Sequence, residues 1–272
     1  MRLQANAKLN LFLNIVGRNE HDYHLLEMVT VPLTLFDTIN IEDATSDSIE
    51  YDKEIHGDVL LKTIKKVKAE FGIKKSVKLR VSKQIPVGGG LGGESADIAA
   101  TIRGLIAYWN IKTTEEDIMR IGSELGSDVP ICLFNKPAKV SGTGNSIIPL
   151  PAIESHVLLL YPEKGIATKD AFKLVDVNEL KRVDSTRLLI GYMKKNIEEI
   201  NQHLHNDFIA IATTLDAGTR QALRAFRNIN PTASMSGSGS TLFGLYDDLA
   251  QLRRHQEQLQ NLGYSTQYCK IL

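Results

Sequence analysis

Gln84-Ile85-Pro86-Val87-Gly88-Gly89-Gly90-Leu91-Gly92-Gly93-Glu94-Ser95-Ala96-Asp97 places five glycines within six residues, between two segments of different pattern. Upstream, Ser76 to Ser82 alternates apolar and polar side chains, as a half-buried strand does. Downstream, Ile98 to Ala107 repeats its apolar residues at helical spacing. Glycine lets backbone N–H groups approach an anion, and a helix N-terminus adds unpaired donors and a favourable dipole. Strand, glycine loop and helix in that order read as a phosphate loop, with a nucleoside triphosphate as the natural guest. The plain alternative is a flexible turn without a ligand, and companion residues elsewhere in the chain separate the two.

Three phosphate loops share this outline. Gly88, Gly90 and Gly93 fit G-x-G-x-x-G, but a dinucleotide site wants an acidic residue ending a second strand about twenty positions on. Here that region is Lys112-Thr113-Thr114-Glu115-Glu116-Asp117, the start of a capped helix. Gly88 to Ser95 has the spacing of a Walker A loop, yet Glu94 stands where the phosphate-binding Lys must be, a reversal of charge. The longer form P-x-G-x-G-L-G-G-x-S-x-(D/N) accommodates every residue from Pro86 to Asp97 and resembles the ATP loop of the GHMP kinase superfamily.

The chain is long enough, at 272 residues, to bury a sizeable core as one large domain or two modest ones. Zero formal net charge leaves no nucleic-acid footprint. In the basic run Leu61 to Lys68, Leu61, Ile64 and Val67 fall at helical spacing, which predicts a solvated helix face. Cys132 and Cys269 lie far apart without metal-ligand spacing, as expected of thiols in a reducing cytoplasm. No signal-like segment opens the chain and no run of eighteen apolar residues occurs. The expectation is a cytoplasmic protein without membrane or nucleic-acid partners, monomeric or homodimeric.

Toward the N-terminus, Leu3 to Ile15 alternates as a strand that carries Lys8 and Asn10 on one face. An edge strand facing water is the ordinary reading, but Lys8 sits among Ala5, Ala7, Leu9 and Leu11, where an ammonium would seek a partner. Gly17 to His24 is a polar turn closing on an aromatic ring and an imidazole. Taken with the glycine loop, Ala5-Asn6-Ala7-Lys8-Leu9-Asn10 and Gly17-Arg18 followed by Asp22-Tyr23-His24 resemble the 4-diphosphocytidyl-2-C-methyl-D-erythritol kinase family of the GHMP superfamily.

Further matches lie downstream. Gly126-Ser127-Asp128-Val129-Pro130 resembles the family's segment bearing the catalytic carboxylate, although an Asp before a Pro-containing first turn is also an ordinary helix cap. Val140 to Asn145 resembles a short family turn with Asn145 in place of Glu, and reads equally as a hairpin turn. Lys164 to Lys173 resembles the segment that presents an aromatic ring to cytosine, and Phe172 could equally be core. Asn206-Asp207 matches a family pair with no chemistry assignable from sequence. Met235-Ser236-Gly237-Ser238-Gly239-Ser240-Thr241 resembles the third superfamily motif, which argues for a turn packed against the phosphate loop.

The resemblance implies an α+β, two-lobed GHMP kinase fold, with a ribosomal-S5-like lobe over residues 1–150, a ferredoxin-like lobe over 151–272 and a boundary near Pro149-Leu150-Pro151. It implies ATP and Mg²⁺ as cofactors and a small-molecule substrate with a cytidine diphosphate moiety, phosphorylated at its 2-hydroxyl. Lys8 and Asp128 would be catalytic. Pro86, Gly88, Gly89, Gly90, Leu91, Gly92, Gly93 and Ser95 would hold the nucleotide, with Ser95 near the metal, while Asn10, Tyr23, His24 and Phe172 would hold the substrate. Glu94 departs from the family's usual Gly, and Ser240 stands where Pro is frequent. Two alternatives stay open: a kinase for another small alcohol, and a nucleotide- or metabolite-binding relative weakened in turnover by Glu94, whose expected position is outward.

Elsewhere, periodicity predicts strands over 29–41, 157–161, 232–235, 241–245 and 266–271. Helices are predicted over 59–71, 114–125, 185–196, 200–215, 219–227 and 247–262.

Overall fold

β-pattern on either side of a short polar turn yields two long strands in the computed structural model, which describes residues 1–55, 57–177 and 180–272. They are β1 (Arg2–Arg18) and β2 (His24–Ala44). His24 thus opens a strand instead of ending a turn. Both strands run through two compact units, each assembled from three stretches of chain.

The first unit comprises Met1–Lys8, Leu35–Pro86 and Gly92–Asn135. Here the end of β2 pairs antiparallel with β4 (Ser76–Ser82), setting Ile39 opposite Val81 and Ile41 opposite Leu79, and β3 (Ser48–Tyr51) runs parallel to β4. The helices are α1 (Val59–Phe71), α2 (Gly93–Tyr108), α3 (Glu115–Leu125) and α4 (Val129–Phe134). Helix α1 buries Leu60, Ile64 and Val67 along one stripe and leaves Lys62 and Lys65 in solvent, the face expected from its basic run. It stops at Gly72 in the left-handed conformation. Thr114 caps α3 by accepting the Asp117 N–H, and Glu115, Glu116 and Asp117 complement the dipole of the first turn.

The second unit comprises Leu9–Thr34, Val87–Leu91 and Lys136–Leu272. The start of β2 pairs with β5 (Ala138–Gly142), which turns back as β6 (Ser146–Pro149). A separate four-stranded antiparallel sheet contains β7 (His156–Tyr161) at its centre. The chain then passes through α5 (Thr168–Lys173), α6 (Thr186–Met193), α7 (Ile197–Gln202), β8 (His205–Asn206), α8 (Phe208–Leu215) and α9 (Ala217–Ile229). It closes with β9 (Ser234–Met235), β10 (Leu242–Tyr246), α10 (Leu249–Asn261) and β11 (Ser265–Lys270), giving strand order β11-β7-β10-β9. The buried run Val157, Leu158, Leu159 and Leu160 makes β7 an interior strand, paired on both edges.

Periodicity failed over residues 200–215. A single helix is expected there, but the chain breaks after α7 to lay His205 and Asn206 parallel to Phe12 and Leu13 of β1. The reason is tertiary. The Asn206 amide donates to the carbonyls of Met235 and Gly237, and Asp207 accepts the Ile15 N–H at 2.7 Å, bonds that a continuous helix would forfeit.

Candidate active site

Lys8 lies on β1 and is only 7% exposed, so its ammonium needs a counter-charge. Asp128 supplies it, with Lys8 Nζ 3.3 Å from Asp128 Oδ2. Asp128 occupies the cap position of α4 but makes no side-chain capping bond, and Pro130 in the first turn has no N–H to satisfy. The capping account of Asp128 therefore fails, and its carboxylate, a third exposed, faces Lys8. One turn into α4, burial above all, with the Asp128 charge next, pushes the Cys132 thiol up to about 12.

Gly92 joins the glycine loop to this pair. It has φ +68°, and a Cβ there would stand 2.8 Å from Lys8 Cγ, so only glycine allows α2 to begin so close to the lysine. Gly93, Glu94 and Ser95 form the first turn of α2, whose unpaired N–H groups suit an anion, while the Ala96 N–H already donates to the Gly92 carbonyl at 2.8 Å. Ser95 is half-buried. Glu94 is solvent-exposed, as expected, at the dipole end that favours a carboxylate. The Lys62 ammonium is held above its ordinary range by Asp58 first, with Glu94 adding to the effect, so the Glu94 charge lies within reach of α1.

In the second unit, the earlier half of the loop packs against the third glycine-rich turn. Gly90 has φ +74°, and a Cβ on it would fall 2.1 Å from the Ser236 carbonyl oxygen. The Ser236 hydroxyl donates to the Gly90 carbonyl at 3.0 Å and accepts the Asn10 N–H at 3.2 Å. The Thr241 N–H donates to the Gly89 carbonyl, and the Ile166 N–H to that of Gly88. These bonds establish the packing expected of the third motif, and they recruit Ser236, Asn206 and Ile166, which sequence reasoning had given no role. Pro86 is half-buried, Val87 and Gly88 are exposed, and Leu91 is buried.

The remaining expected residues belong to the same unit. Asn10 is 1% exposed, and its amide donates to Thr30 Oγ1 at 3.0 Å and to Met28 Sδ at 3.3 Å. The His24 ring lies 4.9 Å from that of Phe172, which packs edge-on against Phe208 at 4.7 Å. Phe172 is half-buried on α5, so it is neither wholly core nor free. Burial first, then the Arg18 charge, lower the pKa of His24, and its Nε2 is buried without a hydrogen-bond partner. Tyr23 is 67% exposed. Among the described residues, no group of three or more His, Cys, Asp or Glu is placed to hold a metal ion, and no helix is long and apolar enough to cross a membrane.

A family model described as GHMP kinases N terminal domain matches residues 58–136. The 4-diphosphocytidyl-2-C-methyl-D-erythritol kinase of Caldanaerobacter subterraneus is 32% identical over 96% of this chain and 93% of its own. That of Clostridioides difficile is 29% identical over 90% of this chain and 86% of its own. A crystal structure of 4-(cytidine 5'-diphospho)-2C-methyl-D-erythritol kinase has the same fold, with a TM-score of 0.80 at 23% identity, covering 100% of this chain and 99% of that one. A homoserine kinase from Cytophaga hutchinsonii follows at TM-score 0.74 and 14% identity, covering 100% of this chain and 94% of its own. With the loop residues, the lysine–aspartate pair and this near-complete alignment in agreement, the chain belongs to the 4-diphosphocytidyl-2-C-methyl-D-erythritol kinase family.

Proposed function

We propose that the protein transfers the γ-phosphoryl group of ATP to the 2-hydroxyl of 4-diphosphocytidyl-2-C-methyl-D-erythritol, a step of non-mevalonate isoprenoid precursor biosynthesis. The acceptor follows from the names of the relatives. The observation that carries the chemistry is the Lys8–Asp128 ion pair at 3.3 Å, with the start of α2 packed against Lys8 at Gly92.

Phosphoryl transfer asks for little covalent help: the nucleophile must be aligned with the γ-phosphate and the charge on the phosphoryl oxygens must be offset. Asp128 accepts the proton of the attacking hydroxyl. Lys8 balances the carboxylate and makes that hydroxyl more acidic. Backbone N–H groups from Gly88 to Ser95 hold the phosphates. Ser95, half-buried in the first turn of α2, would offer a hydroxyl to a Mg²⁺ carried in on the nucleotide, an ion that keeps several waters and is held largely through substrate phosphates. When bound, Mg²⁺ supplies neutralisation of charge on the β and γ oxygens.

At the cytidine end, the lowered pKa leaves the His24 imidazole neutral near pH 7, with one nitrogen donating and the other accepting, which suits a base edge. Phe172 offers a stacking face, and the exposed Tyr23 ring, next to His24 in sequence, is free to meet the substrate. Phe172→Ala is expected to raise the Michaelis constant for the cytidine-bearing alcohol by roughly tenfold while leaving that for Mg-ATP unchanged. Equal rises in both constants would count against a base-stacking role.

The test of the function is ADP release from Mg-ATP, with and without 4-diphosphocytidyl-2-C-methyl-D-erythritol. Release that requires this alcohol is expected. Release with homoserine or mevalonate in its place, and none with the cytidine-bearing alcohol, would overturn the acceptor. Exposure of Glu94 sets a second expectation: a carboxylate pointing outward but near an anion site weakens ATP binding through solvent-screened repulsion. Glu94→Gly should lower the Mg-ATP Michaelis constant about two- to fivefold; an unchanged or higher constant would show that Glu94 takes no part.

A further inference from the structure

Below the glycine loop, the first unit buries three charged side chains that the phosphoryl-transfer scheme does not use. Asp37 on β2 is 0% exposed, Lys83 just after β4 is 5% exposed and Asp97 on α2 is 4% exposed. The Lys83 ammonium donates to Asp37 Oδ2 and, at 2.6 Å, to Asp97 Oδ2. Asp37 Oδ1 accepts the backbone N–H groups of Gln84 at 2.5 Å and Ile85 at 2.8 Å. Lys83 is also gripped at its own backbone: its N–H donates to Asp52 and its carbonyl accepts from Lys53.

We propose that the Asp37–Lys83–Asp97 triad is a positioning device that holds the incoming leg of the phosphate loop and its outgoing helix in the register nucleotide binding requires. The proposal rests on the phosphate-loop reading above. Gln84 and Ile85 form the incoming leg, and Asp37 fixes it through two backbone donors. Asp97 lies one turn beyond Gly93 on α2, and Lys83 ties that turn back to the same aspartate. The two legs touch at Gly93, where a Cβ would be 3.0 Å from Ile85 Cγ2 and 3.6 Å from Lys83 Nζ. Rotation of α2 about this contact would carry the Gly93, Glu94 and Ser95 N–H groups away from a bound phosphate.

Stability alone does not account for the triad. Burying an ammonium between two carboxyl groups is costly, burial above all pushing the Asp97 carboxyl up to about 7, and apolar side chains of similar volume commonly stabilise as well or better. The composition of the triad agrees, because Asp97 Oδ2 accepts from Lys83 while its Oδ1 is buried without a partner. Asp97 is thus present for its pull on Lys83 and not to complete a wider network. Small displacements suffice for a kinetic effect, since a misplacement of about 1 Å can cost on the order of 100-fold.

Steady-state kinetics on the full chain test this. Asp97→Ala should raise the Mg-ATP Michaelis constant by about tenfold or more, leave that of the cytidine-bearing alcohol within about twofold, and be rescued to within about threefold by Asp97→Asn, which keeps an oxygen for Lys83. A merely structural role would lower the amount of active enzyme, moving kcat and neither Michaelis constant. Folded Asp97→Ala with a native Mg-ATP constant overturns the proposal. If Asp97→Ala does not fold, the double variant Lys83→Met with Asp97→Leu, which leaves Asp37 on Gln84 and Ile85, must show the same rise, and a native constant there overturns it equally. If the native chain turns over no acceptor, the acceptor assignment fails by itself, and calorimetry with Mg-ADP takes the place of kinetics: about tenfold weaker binding by Asp97→Ala upholds the device, and unchanged binding overturns it. No Mg-ADP binding by the native chain sinks both the phosphate-loop reading and the triad's proposed role.

Discussion

Asp128→Asn is expected to lower kcat for phosphorylation of the cytidine-bearing alcohol by about 100- to 10,000-fold while the protein remains folded. The amide retains an oxygen for Lys8, whose Nζ stands 3.3 Å from the carboxylate in the native chain, so the buried ammonium is not stranded. What would be lost is the proposed proton acceptor. Both Michaelis constants should stay near their native values, because neither the glycine loop nor the His24–Phe172 pair is altered. Asp128→Ala is a poorer probe, since it removes a carboxylate from beside the 7%-exposed Lys8 and mixes catalysis with stability. The measurement is ADP release under saturating Mg-ATP, beside a thermal melt of both proteins. Turnover within about threefold of native in folded Asp128→Asn would remove Asp128 from the chemistry.

Gly90→Ala is the second large effect. A Cβ at Gly90 falls 2.1 Å from the Ser236 carbonyl oxygen, an overlap with backbone that no rotamer relieves, and φ +74° is unfavourable for alanine by about 1–2 kcal/mol before any overlap. Ser236 cannot easily retreat, because its hydroxyl bridges the Gly90 carbonyl and the Asn10 N–H and the neighbouring carbonyls of Met235 and Gly237 are held by Asn206. Adding the cost of overpacking, destabilisation of about 2–4 kcal/mol is expected by urea unfolding, with the Mg-ATP Michaelis constant raised by about tenfold or more. Alanine accepted at Gly90 with neither change would mean that the two loops do not bear on one another.

Much of this was legible in the residues. Helix α1 matches its expected span, Val59–Phe71, because its apolar stripe is regular and Gly72 ends it in the one conformation glycine takes freely. The cap of α3 at Thr114 was equally plain, since a threonine before three acidic residues leaves few alternatives. Residues 200–215 show the opposite. Their periodicity is helical, yet two residues there form a strand, because Asn206 finds carbonyls at Met235 and Gly237 that are about thirty positions away in sequence. Likewise Lys8 and Asp128 could be nominated only through resemblance. An isolated lysine on an alternating strand and an aspartate before Val-Pro have ordinary structural uses, and 120 residues separate them.

By itself, the sequence determined what depends on near neighbours: where helices start and stop, that a glycine-rich turn lies between strand and helix, and which residues resemble those of a kinase family. Tertiary structure alone decided what depends on distant partners. It set the Asp128 carboxylate on Lys8 instead of on a helix end, and it drew the Asn206 amide onto the carbonyls of Met235 and Gly237. It also placed Asp37, Lys83 and Asp97 in one buried cluster and drew each compact unit from three separate stretches. The physical reason is that local conformation follows from backbone sterics and periodicity, whereas the partner of a buried charge or carbonyl is chosen only when the whole chain has closed around it.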